Sequence, residues 1–99
     1  MKQDIFEKYV DTVASEFGIS RDSIFVKTKQ RNFAEARHIL YYLCINRPIK
    51  VSSIVMYMAA NGYTIGHSSI IYGIKQVQDR MSIDRDYIRV VKKIQDKVQ

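Results

Sequence analysis

The chain has 99 residues, 46% of them hydrophobic and 26% charged, which is the size of one domain and too small for a multi-domain enzyme. Its single cysteine, Cys44, excludes an intramolecular disulfide and a multi-cysteine zinc site, and fits a reducing cytoplasm. Lys and Arg number 16 against 10 Asp and Glu, a formal charge of +6 that suggests a polyanion as partner.

Ile5, Phe6, Tyr9, Val10, Val13, Ala14 and Phe17 recur at three- and four-residue steps and predict a first helix with one apolar stripe, ended by Gly18. Ser20 is the expected cap of a brief second helical turn, with Asp22 near its N-terminus and Ile24 and Phe25 facing the core. This first part, residues 1–26, is mildly acidic: Lys2, Lys8 and Arg21 oppose Asp4, Glu7, Asp11, Glu16 and Asp22, a net of −2. The opening Lys2-Gln3-Asp4 has no greasy core behind it, and all apolar runs are short, so neither secretion nor a membrane span is expected.

Residues 26–32 have no apolar period and predict a loop, with Asn32 as cap of the next helix. Phe33, Ala36, Ile39, Leu40, Leu43 and Cys44 predict a central helix that stops before Pro48, whose ring disfavours helix at Arg47. Across residues 27–50, Lys27, Lys29, Arg31, Arg37, Arg47 and Lys50 face Glu35 alone, and this net of +5 makes the stretch the electrostatic candidate. Val51, Ile54, Val55, Met58 and Ala59 form another stripe, followed by Asn61-Gly62, a turn that tolerates positive φ. A further helix begins near Gly66 to Ser68, with Ile70, Ile74, Val77 and Met81 on one side and Ser69, Tyr72, Lys75, Gln76 and Asp79 on others. The last helix starts at Ser82 or Asp84 and is expected to bury Tyr87, Val90, Val91, Ile94 and Val98, while its basic residues face water. No strand alternation, repeat or linker interrupts the pattern. The expectation is one all-α domain over residues 1–99, with five to six helices.

Two short helices joined across Asn61-Gly62 form a helix-turn-helix pattern, in which the second helix enters a DNA major groove. Such pairs occur in every all-α class, so the side chains must discriminate. The run His67-Ser68-Ser69 supplies donors and acceptors where recognition helices present their N-terminal residues to bases or phosphates. The plain alternative is capping by Gly66 or Ser68, with His67 as a solvated turn residue. Tyr41, Tyr42, Tyr57, Tyr63 and Tyr72 are read mainly as packing, with Tyr57 and Tyr63 near enough to the turn to reach a sugar or base. Catalysis has little material: Cys44 falls on the buried side of its helix, and neither His38 nor His67 has an acidic partner nearby in sequence. No enzyme activity, metal, cofactor or small-molecule substrate is expected.

Three stretches in order resemble the C-terminal DNA-binding domain of the bacterial replication initiator DnaA, a Trp-repressor-like helix-turn-helix. They are Val13-Ala14-Ser15-Glu16-Phe17-Gly18-Ile19 leading into the basic segment Lys27 to Arg31, then Arg37-His38-Ile39-Leu40-Tyr41-Tyr42-Leu43, and then Ile65-Gly66-His67-Ser68-Ser69-Ile70. The resemblance implies that His67 and Ser68 reach bases in the major groove and that Ser69 steadies the backbone. It implies phosphate contacts for Arg37 and for His38, which replaces a Gln, and a minor-groove role for Lys29 or Arg31 on the basic loop. Lys75 falls where the family carries a basic residue on the recognition helix. Ile65 and Gly66 stand where the family has Arg-Asp, and the turn from Ala59 to Gly66 is longer than the family's Gly-Gly turn. No Gly-rich Lys-Ser/Thr phosphate loop is present, so the expectation is a DNA-binding module without the initiator's ATPase domain.

The expected function is therefore binding of double-stranded DNA in replication initiation, its control, or transcription regulation, in the cytoplasm and away from membranes. If the basic loop, Arg37, Lys50 and Lys75 neutralise about six phosphates, log affinity falls against log salt with a slope near −5. Discrimination rests on His67, Ser68, Tyr72 and a minor-groove cation, each good base contact being worth about 1–3 kcal/mol. The rival is a protein-interaction module that mimics or captures replication-initiation proteins through the acidic first helix or the Tyr/Met-rich surface. RNA is the weaker partner, because a helix cannot read its narrow major groove.

Overall fold

The computed structural model describes residues 2–28 and 30–98. Helix α1 (Lys2–Phe17) buries Phe6, Tyr9, Val10, Val13 and Ala14, the stripe its periodicity requires. It ends in a Schellman motif: Gly18 lies at φ +64° and donates to Ser15 O at 3.1 Å, while Ile19 donates to Ala14 O at 3.0 Å. Ser20 then caps a single 3-10 turn, Arg21–Phe25, by accepting from the Ser23 amide. Val26 ends the turn in an extended conformation, and the next helix is α2 (Arg31–Asn46).

Helix α2 is central and packs against α1, the 3-10 turn and the next two helices of the chain. It buries Ala36, Arg37, Ile39, Leu40, Tyr41, Leu43 and Cys44, a face a little wider than half of its circumference, as a helix with several neighbours must. Its N-cap is Gln30 and not Asn32, which lies in the first turn. The first residue, Arg31, instead supports that turn through an ion pair with Glu35 at 3.1 Å. Burial pushes the Cys44 thiol well above its usual range, which suits a packing residue.

Helices α3 (Val51–Ala60) and α4 (His67–Met81) pack on each other and on α2. The end of α3 repeats the motif that ends α1: Gly62 sits at φ +85° and donates to Ala59 O, and Tyr63 donates to Met58 O, both at 2.9 Å. Helix α4 turns Ile70, Gly73 and Val77 inward. Helix α5 (Arg85–Lys97) packs across α1 and α4 and is capped by Asp84, which accepts from the Tyr87 amide at 3.1 Å. Tyr87, Val91, Ile94 and Val98 are buried as expected, but Val90 is 39% exposed, because it stands about 100° around the helix from Val91. Arg47 fastens the far end by donating to Val98 O at 3.1 Å. Among the described residues there is no strand, and no helix is long and apolar enough to cross a membrane.

Candidate nucleic-acid interface

The start of α4 is open to solvent. Gly66 occupies the N-cap in an extended conformation and offers no capping side chain, and His67, Ser68 and Ser69 are all exposed. The first amides of α4 therefore present a partial positive charge unshielded by a cap. Further along the same helix, Tyr72 is 59% exposed and Lys75 also faces water. Ser68, Tyr72 and Lys75 follow the four- and three-residue steps that keep side chains on one face.

The opposite face of α4 meets α2 at Gly73, and this contact sets how deeply the helix sits. A Cβ at Gly73 would lie 2.7 Å from His38 Cδ2 and 3.0 Å from Tyr41 Cδ2, so only glycine permits the approach. His38 is consequently wedged beside α4, with its ring edge-on to Tyr72 at 6.0 Å. Burial holds the His38 pKa below the usual histidine value, Arg37 adds to the effect, and Glu35 opposes it. His38 is thus mainly an uncharged imidazole at neutral pH, and a phosphate contact from it is a hydrogen bond and not an ion pair.

A cleft of about 620 Å³ joins these parts to the basic segment. It is lined by Lys27 and Thr28 of that segment, by Ala34, Arg37, His38 and Tyr41 of α2, and by Tyr63 to Gly66 with Ser68, Ser69 and Tyr72. His67 stands on the exposed first turn beside this cleft. Arg31 starts α2 with its side chain 86% exposed, and Lys50 is exposed at the N-cap of α3; neither lines the cleft. Lys29 lies outside the described residues.

Arg37 lines the cleft but is turned largely inward. The residue is 4% exposed, and its guanidinium donates to Ile24 O at 3.2 Å, Val26 O at 3.1 Å and Thr28 O at 2.9 Å. With three of its five N–H donors directed at carbonyls, Arg37 is a structural residue of the basic loop. Two residues accompany it that the sequence reading noted but did not place in the site. The Tyr63 ring lies under the Arg37 guanidinium at 5.1 Å and the Lys27 ammonium at 5.5 Å. Lys27 was visible as a member of the same basic run, and Tyr63 as the residue just after a helix-ending glycine, the position whose side chain packs back on the fold.

Several of the charges elsewhere are held in ion pairs within the domain. On α1, Glu7 and Asp11 both pair with Arg21, and Glu16 pairs with Lys93 at 2.9 Å and Lys97 at 3.0 Å. The one acidic residue of the basic region, Glu35, is shared by Arg31 and Arg80. Lys27 and Lys75, which pair with no acidic residue among the described ones, are left on the side of the molecule formed by the cleft and α4.

The family model of the bacterial DnaA protein helix-turn-helix matches residues 6–77. In fold, the chain is similar to the crystal structure of a DNA replication initiation factor, with a TM-score of 0.73 and 23% identity over 99% of this chain and 30% of that one. The chain thus spans less than a third of that protein's length. No curated protein matches it.

Proposed function

The chain belongs to the family of bacterial DnaA helix-turn-helix domains, and on that premise we propose that it binds double-stranded DNA. Helix α4 enters the major groove with His67 and Ser68 at base edges, Ser69 on the backbone and Tyr72 beside them. Lys27 and Lys29 meet phosphates or the adjoining minor groove, and Arg31, Lys50 and Lys75 add phosphate contacts. The biological setting is replication initiation, its control, or transcription regulation.

One observation carries this reading: the cleft brings Lys27 and Thr28 of the basic segment to the same side as Ser68, Ser69 and Tyr72 of α4. A bare helix N-terminus and a cationic segment side by side match the two things a duplex offers, base edges and phosphates. The rival, capture of a replication protein through acidic α1, has less to work with, since Glu7, Asp11 and Glu16 are already ion-paired within the domain.

The test is a binding isotherm on the best duplex recovered from a randomised pool, compared with unrelated duplex. His67→Ala is expected to lower the preference for the selected duplex by about 1–3 kcal/mol while leaving binding to unrelated duplex in place. Unchanged binding by both His67→Ala and Lys27→Ala would overturn the interface.

A further inference from the structure

The carbonyls of Ile24, within the 3-10 turn, and of Val26 and Thr28, in the segment that follows it, all accept from the Arg37 guanidinium. One guanidinium, planar and rich in donors, thereby fixes the path of the segment that displays Lys27. The same guanidinium stacks on Tyr63, and Lys27 reaches the Tyr63 ring from the loop. Tyr63 is itself held by its backbone N–H, which donates a hydrogen bond to Met58 O, in the turn that leads to α4. The contacts thus run from the basic segment, through Arg37 and Tyr63, to the end of α3, and three residues of chain lead from Tyr63 to the helix that carries His67 and Ser68.

We propose that Tyr63, gripped by Arg37 and Lys27, is a positioning residue that locks the basic segment at a set distance from the N-terminus of α4, so that both engage one duplex in register. The inference rests on the DNA-binding reading above and adds a specificity role to it. A duplex presents its phosphates and base edges at fixed separations, so a loop free to wander still gains from phosphate attraction but loses the alignment that rewards the correct sequence. Tyr63 touches no base in this scheme. Its effect is transmitted through the loop. The ring face is the group that matters, because the cations are attracted to its π-system and not to the hydroxyl.

The experiment compares wild type, Tyr63→Leu and Tyr63→Phe in two measurements. The first needs no DNA: tryptic cleavage within residues 27–31 of the free protein, which tracks the population of the opened loop. The second is the ratio of affinities for the selected and an unrelated duplex, with the salt slope of each. Tyr63→Leu is expected to raise cleavage about fivefold, the loss of two weak cation–π contacts, and to lower the affinity ratio by a similar factor. Its salt slope on unrelated duplex stays that of wild type, since no phosphate contact is removed. Tyr63→Phe keeps the ring and is expected to match wild type in both. Should Tyr63→Leu lower the melting temperature too far for comparison, Lys27→Met removes one side of the grip without touching the core and is expected to lower the ratio and flatten the slope together. Wild-type behaviour in Tyr63→Leu, or equal impairment in Tyr63→Phe, overturns the proposal. Failure of wild type to bind any duplex overturns the DNA-binding reading instead, while the cleavage rates still decide whether Tyr63 holds the loop.

Discussion

His38 sits where water is scarce, and its chemistry reflects that. The imidazole is enclosed between α2 and Gly73 of α4, so its cation loses hydration, and the neighbouring Arg37 repels a second positive charge. A histidine whose folded pKa lies below its unfolded value binds fewer protons in the native state than in the unfolded one. Its contribution to stability is therefore complete above the unfolded pKa, about 6.5, and is lost as pH falls through that value toward the folded one. Urea titrations between pH 7 and pH 5 are expected to show stability decreasing toward acid. The His38→Gln variant, which fills similar space without a titrating group, is expected to flatten that decrease. An identical pH dependence in the variant would mean that another group is responsible. Glu16 does not account for it, because its pKa is lowered, first by the hydrogen bond from Lys93, and its loss belongs below the ordinary carboxylate range.

At the level of elements, the six-residue connection between α3 and α4 contains two glycines with opposite demands. Gly62 at φ +85° is strained by any side chain whatever the space around it, whereas Gly66 is extended and has open space where a Cβ would go. Gly62→Ala is expected to destabilise the domain by about 1 kcal/mol, the approximate cost of a left-handed conformation at a non-glycine residue. Gly66→Ser supplies an N-cap hydroxyl to α4 and is expected to stabilise it by a few tenths of a kcal/mol. Paired thermal melts check both signs; a loss in both would show that the connection is constrained along its whole length. Helix ends of this kind were legible in the sequence because they depend on local chemistry: Gly18, Ser20, Gly62 and Asp84 act where their residue types said they would. Asn32 did not, since α2 starts earlier, at Arg31, and replaces a side-chain cap with the Arg31–Glu35 pair. Val90 was misassigned because an apolar residue beside a buried stripe satisfies the same periodicity as one within it. The role of Arg37 was not legible at all. Its three carbonyl partners lie 9 to 13 residues upstream, and their convergence depends on the path of the intervening chain.

Over the whole molecule, the sequence already separated an acidic first quarter from a basic middle, but it could not say which cations were free. Ion pairs decide that: Lys93 and Lys97 are bound to Glu16 of α1, while Lys27 and Lys75 have no acidic partner among the described residues. With Arg37 turned inward, the cations proposed to face phosphates are Lys27, Lys29, Arg31, Lys50 and Lys75. Five contacts correspond to a slope of about −4.5 in log affinity against log salt, shallower than the six contacts expected from sequence. Local placement and net charge can then be told apart, because Lys75→Gln and Lys97→Gln each remove one positive charge from the same +6 total. If the field of the whole protein governed binding, the two would weaken it equally. If counterions are released only where a cation meets a phosphate, Lys75→Gln is expected to flatten the slope by about 0.9 while Lys97→Gln leaves it unchanged. Fluorescence anisotropy of labelled duplex at several salt concentrations measures both. Equal slopes for the two variants would move the DNA-binding surface away from α4, and a flatter slope for Lys97→Gln alone would place it on α5.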